Sequence, residues 1–177
     1  MKNLFQMFAL ACVVALLVGC NQIKPRLDVD LLSTTDAAAA SLLRNSQGVS
    51  PDATLLVASF VSVDNLMRSS TFGRVSAELF SSALSRRGYS LVEVKLRDEL
   101  FIQQRGGEFM LSRNLQNISE THQVQSVVLG TYAVGIDYVY VTVKMVNAQN
   151  SNVQGAWQYR IPRTDEMRSL LPAREPR

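Results

Sequence analysis

Hydrophobic and polar positions divide the chain into three stretches. Leu4 to Val18 is an almost unbroken apolar run, interrupted only by Gln6. Asn21 to Asp30 is polar and carries Pro25. Beyond it, apolar residues recur with periods that predict alternating helices and strands. Ser33-Thr34-Thr35-Asp36 offers several N-caps for a short helix through "AAAASLLRN", with Leu42 and Leu43 on one side and Gly48 and Pro51 closing it. "TLLVASFV" (54–61) reads as a strand buried on both faces. Ser69-Ser70 then caps a helix whose inward positions are Phe72, Val75, Leu79, Phe80, Ala83 and Leu84, with Gly88 at its C-terminal cap.

"YSLVEVKL" (89–96) is the second strand, and a loop with Gly106-Gly107 leads to a second helix over 108–121, with Leu111, Leu115 and Ile118 inward. "QSVVLGTYAV" (125–134) is the third strand. "DYVYVTVKMVN" (137–147) alternates, placing Val139, Val141, Val143 and Met145 on one face and Tyr138, Tyr140, Thr142 and Lys144 on the other. "AQNSN" turns the chain into "VQGAWQYRI" (153–161), with Val153, Gly155, Trp157, Tyr159 and Ile161 sharing a face. Thr164 to Leu171 forms a last helical turn. The order β-α-β-α-β-β-β predicts an α/β (α+β) fold: a mixed sheet with helices packed on it, its first strands parallel and its closing hairpin antiparallel.

Composition narrows the functional classes. With 47% hydrophobic and 19% charged residues, the 177-residue chain is globular and long enough for one core. A net charge of +3 without a Lys/Arg block leaves no footprint for nucleic acid. The densest basic pair, Arg86-Arg87, suits a helix C-terminus, where cations complement the dipole.

The apolar run near the N-terminus is shorter than the roughly 20 residues a spanning helix needs, and Met1-Lys2-Asn3 before it is a charged n-region. It ends in Leu17-Val18-Gly19-Cys20, which resembles the lipobox of bacterial lipoproteins. The resemblance implies a diacylglycerol thioether on Cys20, cleavage just before it and acylation of the new amine. Small Gly19 leaves the backbone open to a peptidase. Cys12 departs with the leader, so the mature chain keeps one blocked thiol and no disulfide or zinc cluster within one copy. Two or more acyl chains anchor stably, at about 0.8 kcal/mol per buried methylene. The resemblance to enterobacterial lipoproteins, in which Asp after the Cys favours inner-membrane retention, implies the outer membrane for a chain with Asn21 there. The expected organisation is a lipoprotein signal peptide (1–19), a lipid-attached linker with a short helix (20–53), an α/β domain (54–171) and a tail (172–177).

Candidate chemistry is sparse. The one histidine, His122, follows a helix, and no Gly-x-Ser-x-Gly elbow surrounds a serine. Carboxylates are scattered, Asp98-Glu99 are adjacent in a loop, and Gly106-Gly107 lacks the lysine and hydroxyl of a phosphate loop. The reading is therefore of a protein that is not an enzyme, with no cofactor and no metal. Tyr138 and Tyr140 are the candidate interface, since outward aromatics favour protein contacts.

"SSTFGR", "RRGY", "GEFMLSR" and "VVLGTYAVG", spread in order over 55–162, resemble the FlgO family of outer-membrane lipoproteins. That resemblance implies a fold like the N-terminal domain of TolB. It also implies a non-catalytic role in supporting the bacterial flagellum and motility. The expected partners are the membrane, through the lipid, and other flagellar outer-membrane or periplasmic proteins, with self-assembly left open. The body is expected to face the periplasm, surface exposure being the alternative. No site residue comes with the resemblance. The other reading is a lipoprotein regulator of an envelope enzyme such as a peptidoglycan synthase.

Overall fold

The computed structural model describes residues 30–92, 102–105, 108–111 and 113–171. Cys12, Cys20, Asp98-Glu99, Gly106-Gly107 and the second half of the 89–96 strand lie outside them. Helix α1 (Leu31–Arg44) precedes strands β1 (Thr54–Val57), β2 (Val61–Ser62) and β3 (Asn65–Ser69) and helix α2 (Thr71–Ser85). Strands β4 (Ser90–Val92), β5 (Ile102–Arg105) and β6 (Glu108–Leu111) lead to α3 (Arg113–Thr121). The long strands β7 (Ser126–Val134), β8 (Tyr138–Asn147) and β9 (Val153–Pro162) follow, and α4 (Asp165–Leu170) closes the order.

The mixed sheet and its helices match the expected α/β class. β7 is the hub: it pairs in parallel with β1 (Leu55 opposite Ser126) and β2 (Val61 opposite Thr131), and antiparallel with β8 on its other side. β1 pairs in parallel with β4, and β8 pairs antiparallel with β9. The expected closing hairpin is thus present, with Asn147 Oδ1 accepting from the Gln149 and Asn150 N–H groups in its turn.

Several boundaries differ from the sequence reading, each for a local reason. α1 is capped by Asp30, whose carboxylate accepts from Leu32 N and Ser33 N. Ser33 to Asp36 are therefore inside the helix rather than its cap. α1 also packs into the main core through Ala38, Ala39 and Leu42, so the folded body includes a segment the sequence reading assigned to the linker. The strand expected over 54–61 is broken. It leaves the sheet after Val57 and rejoins it at Val61, while the Phe60 N–H donates to Gly73 O (3.1 Å) and its ring turns inward. The helix expected over 108–121 begins only at Arg113. Glu108–Leu111, including Leu111, is instead a strand paired with Ile102–Arg105. A Gly-Gly dipeptide between two short runs is a hairpin signal, and here it outweighs helical periodicity.

Two apolar clusters lie on opposite faces of the sheet. The larger, under α1 and α2, contains Leu55, Phe60, Phe72, Phe80, Val128, Tyr132, Val139, Val141, Val143, Met145 and Ile161. The smaller contains Leu56, Val61, Val124, Val127, Leu129 and Val146, with Ile118 of α3 against it. In α2 the buried stripe runs through Phe72, Gly73, Ser76, Ala77, Phe80, Ala83 and Leu84. Val75 and Leu79, expected to point inward, are half-buried at its flank.

Candidate interaction surface

Strand alternation sorts β8 as expected. Val139, Val141, Val143 and Met145 are buried, while Tyr138 and Thr142 are half-buried and Tyr140 is 52% exposed on the opposite face. The Tyr138 and Tyr140 ring centroids are 6.4 Å apart. The Arg160 guanidinium lies 4.5 Å from the Tyr138 ring centroid, within cation–π range. Arg160 is directly opposite Tyr140 across the strand pair, and Gln158 opposite Thr142. A Cβ on Gly135 would come 3.2 Å from the Tyr140 ring, so the absence of a side chain there lets that ring settle over the turn. Both tyrosines and Arg160 form one polar-aromatic patch with no role in the main core.

β9 alternates less cleanly than expected. Gly155 and Ile161 are buried, but Trp157 is 38% exposed and Val153 is 56% exposed, although alternation puts all four on one face. Two features explain this. The register shifts at Met145/Val146, which moves Val153 off the alternation, and among the described residues β9 pairs on one side only. Gly155 is close against Ser46 at the end of α1, where a Cβ would meet the Ser46 Cα at 2.7 Å. Tyr159 places its hydroxyl near Thr35 of α1, and burial pushes its pKa above the usual tyrosine range.

The motifs that carry the family resemblance turn out to be joints of the fold. In "SSTFGR", Ser70 caps α2 by accepting from Gly73 N (3.1 Å), and the Tyr132 hydroxyl donates to Ser70 Oγ (2.7 Å). Phe72 packs edge-on to Tyr132 at 4.9 Å. Burial raises the Tyr132 pKa. Phe60 binds two motifs together: its carbonyl occupies the space of a Gly73 Cβ, and its ring the space of a Gly130 Cβ in "VVLGTYAVG". In "RRGY", Arg86 and Arg87 both reach Asp36 of α1 (2.6 and 2.8 Å), and Arg87 also donates to Ala83 O in the last turn of α2. The pair therefore links two helices as well as finishing one. Hydrogen bonds from these arginines hold the Asp36 carboxyl well below the usual carboxylate range. Gly88 has φ +90°, the left-handed conformation that a helix exit of this kind requires.

His122 stands exposed after α3, its backbone N–H donating to Ile118 O. Among the described residues no group of three or more His, Cys, Asp or Glu side chains is placed to hold a metal. No helix among them is long and apolar enough to cross a membrane.

The family model described as FlgO protein matches residues 36–166, well over half of the chain. The protein belongs to the FlgO family. The match begins at Asp36, so it takes in the partner of the Arg86-Arg87 pair and most of α1. Membership of this family supports the reading of an envelope lipoprotein. No curated protein sequence matches significantly.

Among solved structures, this FlgO-family chain is similar to the C-terminal domain of LpoB from Salmonella enterica. The TM-score is 0.55 and the identity 16%, with 75% of this chain and 98% of that one covered. The Escherichia coli LpoB C-terminal domain gives the same TM-score and coverage at 13% identity. The NMR structure of E. coli LpoB gives 0.50 at 14% identity, covering 72% of this chain and 64% of that one. At these identities the likeness is one of fold.

Proposed function

We propose that this protein is an outer-membrane lipoprotein, anchored through acyl chains on Cys20, that supports the bacterial flagellum as a structural or assembly component. The FlgO match over residues 36–166 carries this reading. Its mechanism is geometric. The lipid holds one end at the membrane, the polar residues from Asn21 to the Asp30 cap set the reach, and the α/β body presents its surfaces to flagellar envelope proteins. Tyr138 and Tyr140, with Arg160 beside them, are the proposed contact surface. The body faces the periplasm and acts by contact rather than by turnover.

Deletion of the gene tests the role: swimming or flagellar retention should fall, and normal motility with normal flagella would refute it. Cys20→Ser tests the anchor separately, with protein moving from the membrane to the soluble fraction as the expected result.

A second reading has one observation in its favour, the LpoB-like fold. On it, the protein is a lipoprotein regulator of an envelope enzyme such as a peptidoglycan synthase. Capture of such a synthase by the lipoprotein, with motility unaffected by deletion, would favour it over the flagellar role.

A further inference from the structure

β9 is a long edge strand, and two hydrogen bonds establish which of its backbone groups face outward. Arg163 N donates to Asp137 O, so odd-numbered residues of this strand bond towards β8. Gln154 O accepts from Gln47 N, outside the sheet, so even-numbered residues point to the open edge. At one end the edge is occupied by that Gln47–Gln154 bond. At the other it is closed by Pro162, which has no N–H to give. Between them lie Ala156, Gln158 and Arg160, whose outward N–H and C=O groups pair with no other strand among the described residues.

An open edge of this kind is a template for another strand. Natural edges are blunted by charges, prolines and bulges, yet this window holds one charge, Arg160, and its proline stands only at the end. Its composition also suits its own copy. Antiparallel pairing about Gln158 sets Gln158 opposite Gln158 of the second copy and Ala156 opposite Arg160 of the second copy, and each pair exchanges both backbone bonds. All three free residues are used, and neither Gln154 nor Pro162 is asked to bond. The same register sets the half-exposed Trp157 opposite Tyr159 of the second copy in the closely spaced, non-hydrogen-bonded position. It keeps the two Arg160 side chains four residues apart along the strands, about 13 Å, beyond the roughly 8 Å Debye length at physiological salt. A shift by two residues in either direction loses this fit: one direction calls on the occupied Gln154 and the other on Pro162.

We infer that two copies of this chain pair antiparallel through β9, centred on Gln158, into one continuous sheet. The pairing leaves the Tyr138–Tyr140–Arg160 face of each copy on the same side of that sheet, doubling the patch. It does not depend on the flagellar role.

The test uses the full chain, processed in its own envelope and purified in mild detergent. Sedimentation should report two copies, and Gln158→Cys should give a disulfide-linked species of twice the mass under mild oxidation. Thr142→Cys, directly opposite Gln158 but one strand further in, should not. The parent chain run alongside gives any background from Cys20, so an unlipidated Cys20 is seen separately. Gln158→Pro removes an outward N–H and no backbone bond to β8, losing on that side only the long, exposed Gln158 Nε2–Thr142 Oγ1 hydrogen bond. It should raise the dimer dissociation constant at least tenfold while the far-UV circular dichroism spectrum of the chain stays unchanged. A single-copy mass at every concentration would overturn the inference. So would equal cross-linking at Thr142→Cys, or a Gln158→Cys disulfide to a different protein.

Discussion

The two faces of the β7–β8–β9 sheet are made by alternate residues of the same strands, yet they do different work. On the helix side, Val139, Val141, Val143, Met145 and Ile161 disappear beneath α1 and α2. On the other side, Tyr138, Tyr140, Thr142 and Arg160 stay partly or largely in solvent. A substitution on the first face is felt as lost packing, because interiors are close-packed and relax little. A substitution among these four residues leaves the fold intact and changes what the surface can hold. Stability and presentation can therefore be separated residue by residue, although only one position along the strand divides them.

The sharpest break of the helix-covered face is at Phe60. Phe60→Ala empties a fully buried site between Gly73, Gly130 and Phe80 and should cost about 3–5 kcal/mol in urea unfolding. Gly130→Ala pushes a methyl into the Phe60 ring and should cost about 3 kcal/mol. Because the two changes act on one contact, Phe60→Ala with Gly130→Ala should lose clearly less than the sum. Additivity would show that the ring and the glycine are not in contact.

Next in size is Ser70→Ala. It removes the α2 cap and the acceptor of the Tyr132 hydroxyl together, for about 1–2 kcal/mol of unfolding free energy. Ser70→Thr keeps an oxygen at the cap and should recover most of that loss.

A smaller effect is expected at the rim of the same face, where Asp36 meets both arginines. Its folded-state pKa is depressed below the ordinary 3.8, so its contribution to stability is fully present above that value. The contribution is lost as pH falls from about 3.8 towards the lowered folded-state value. Asp36→Asn should therefore lower the urea midpoint modestly at pH 7, since the site is solvent-exposed and screened. The gap between the two chains should narrow with acid below the ordinary carboxylate range. A gap independent of pH would assign the effect to packing.

Least of all should the fold notice Tyr140→Ser on the open face, with a change within about 0.5 kcal/mol. Binding is where that variant should register. If the face is a contact surface, co-purification of envelope partners falls while the unfolding curve stays put. Loss of both together would move Tyr140 into the core class.

Much of this was legible from residue order alone. The β8–β9 hairpin could be read because period-2 alternation over the ten residues of β8 has no helical counterpart, and α2 because a Ser cap and a Gly exit bracket a 3.6-period stripe. The candidate tyrosines stand where alternation places them. What could not be read depended on partners distant in sequence. Asp36 looked like a cap because four capping residues occur in a row there. Only the packing of α1 against α2 shows it as the counter-ion of Arg86-Arg87. Trp157 obeys the alternation and still emerges, because β9 is an edge strand, and edge position is a property of the sheet.

Local sequence thus determined which segments are helix or strand and which face of each is apolar. These depend on side-chain period, caps and turn residues within a few positions. Tertiary structure alone decided that Phe60 leaves its strand to lie on Gly130 and beside Gly73, that α1 belongs to the body, and that β9 keeps an open edge. Each of those depends on which surfaces meet, and close packing sets that only after the elements exist.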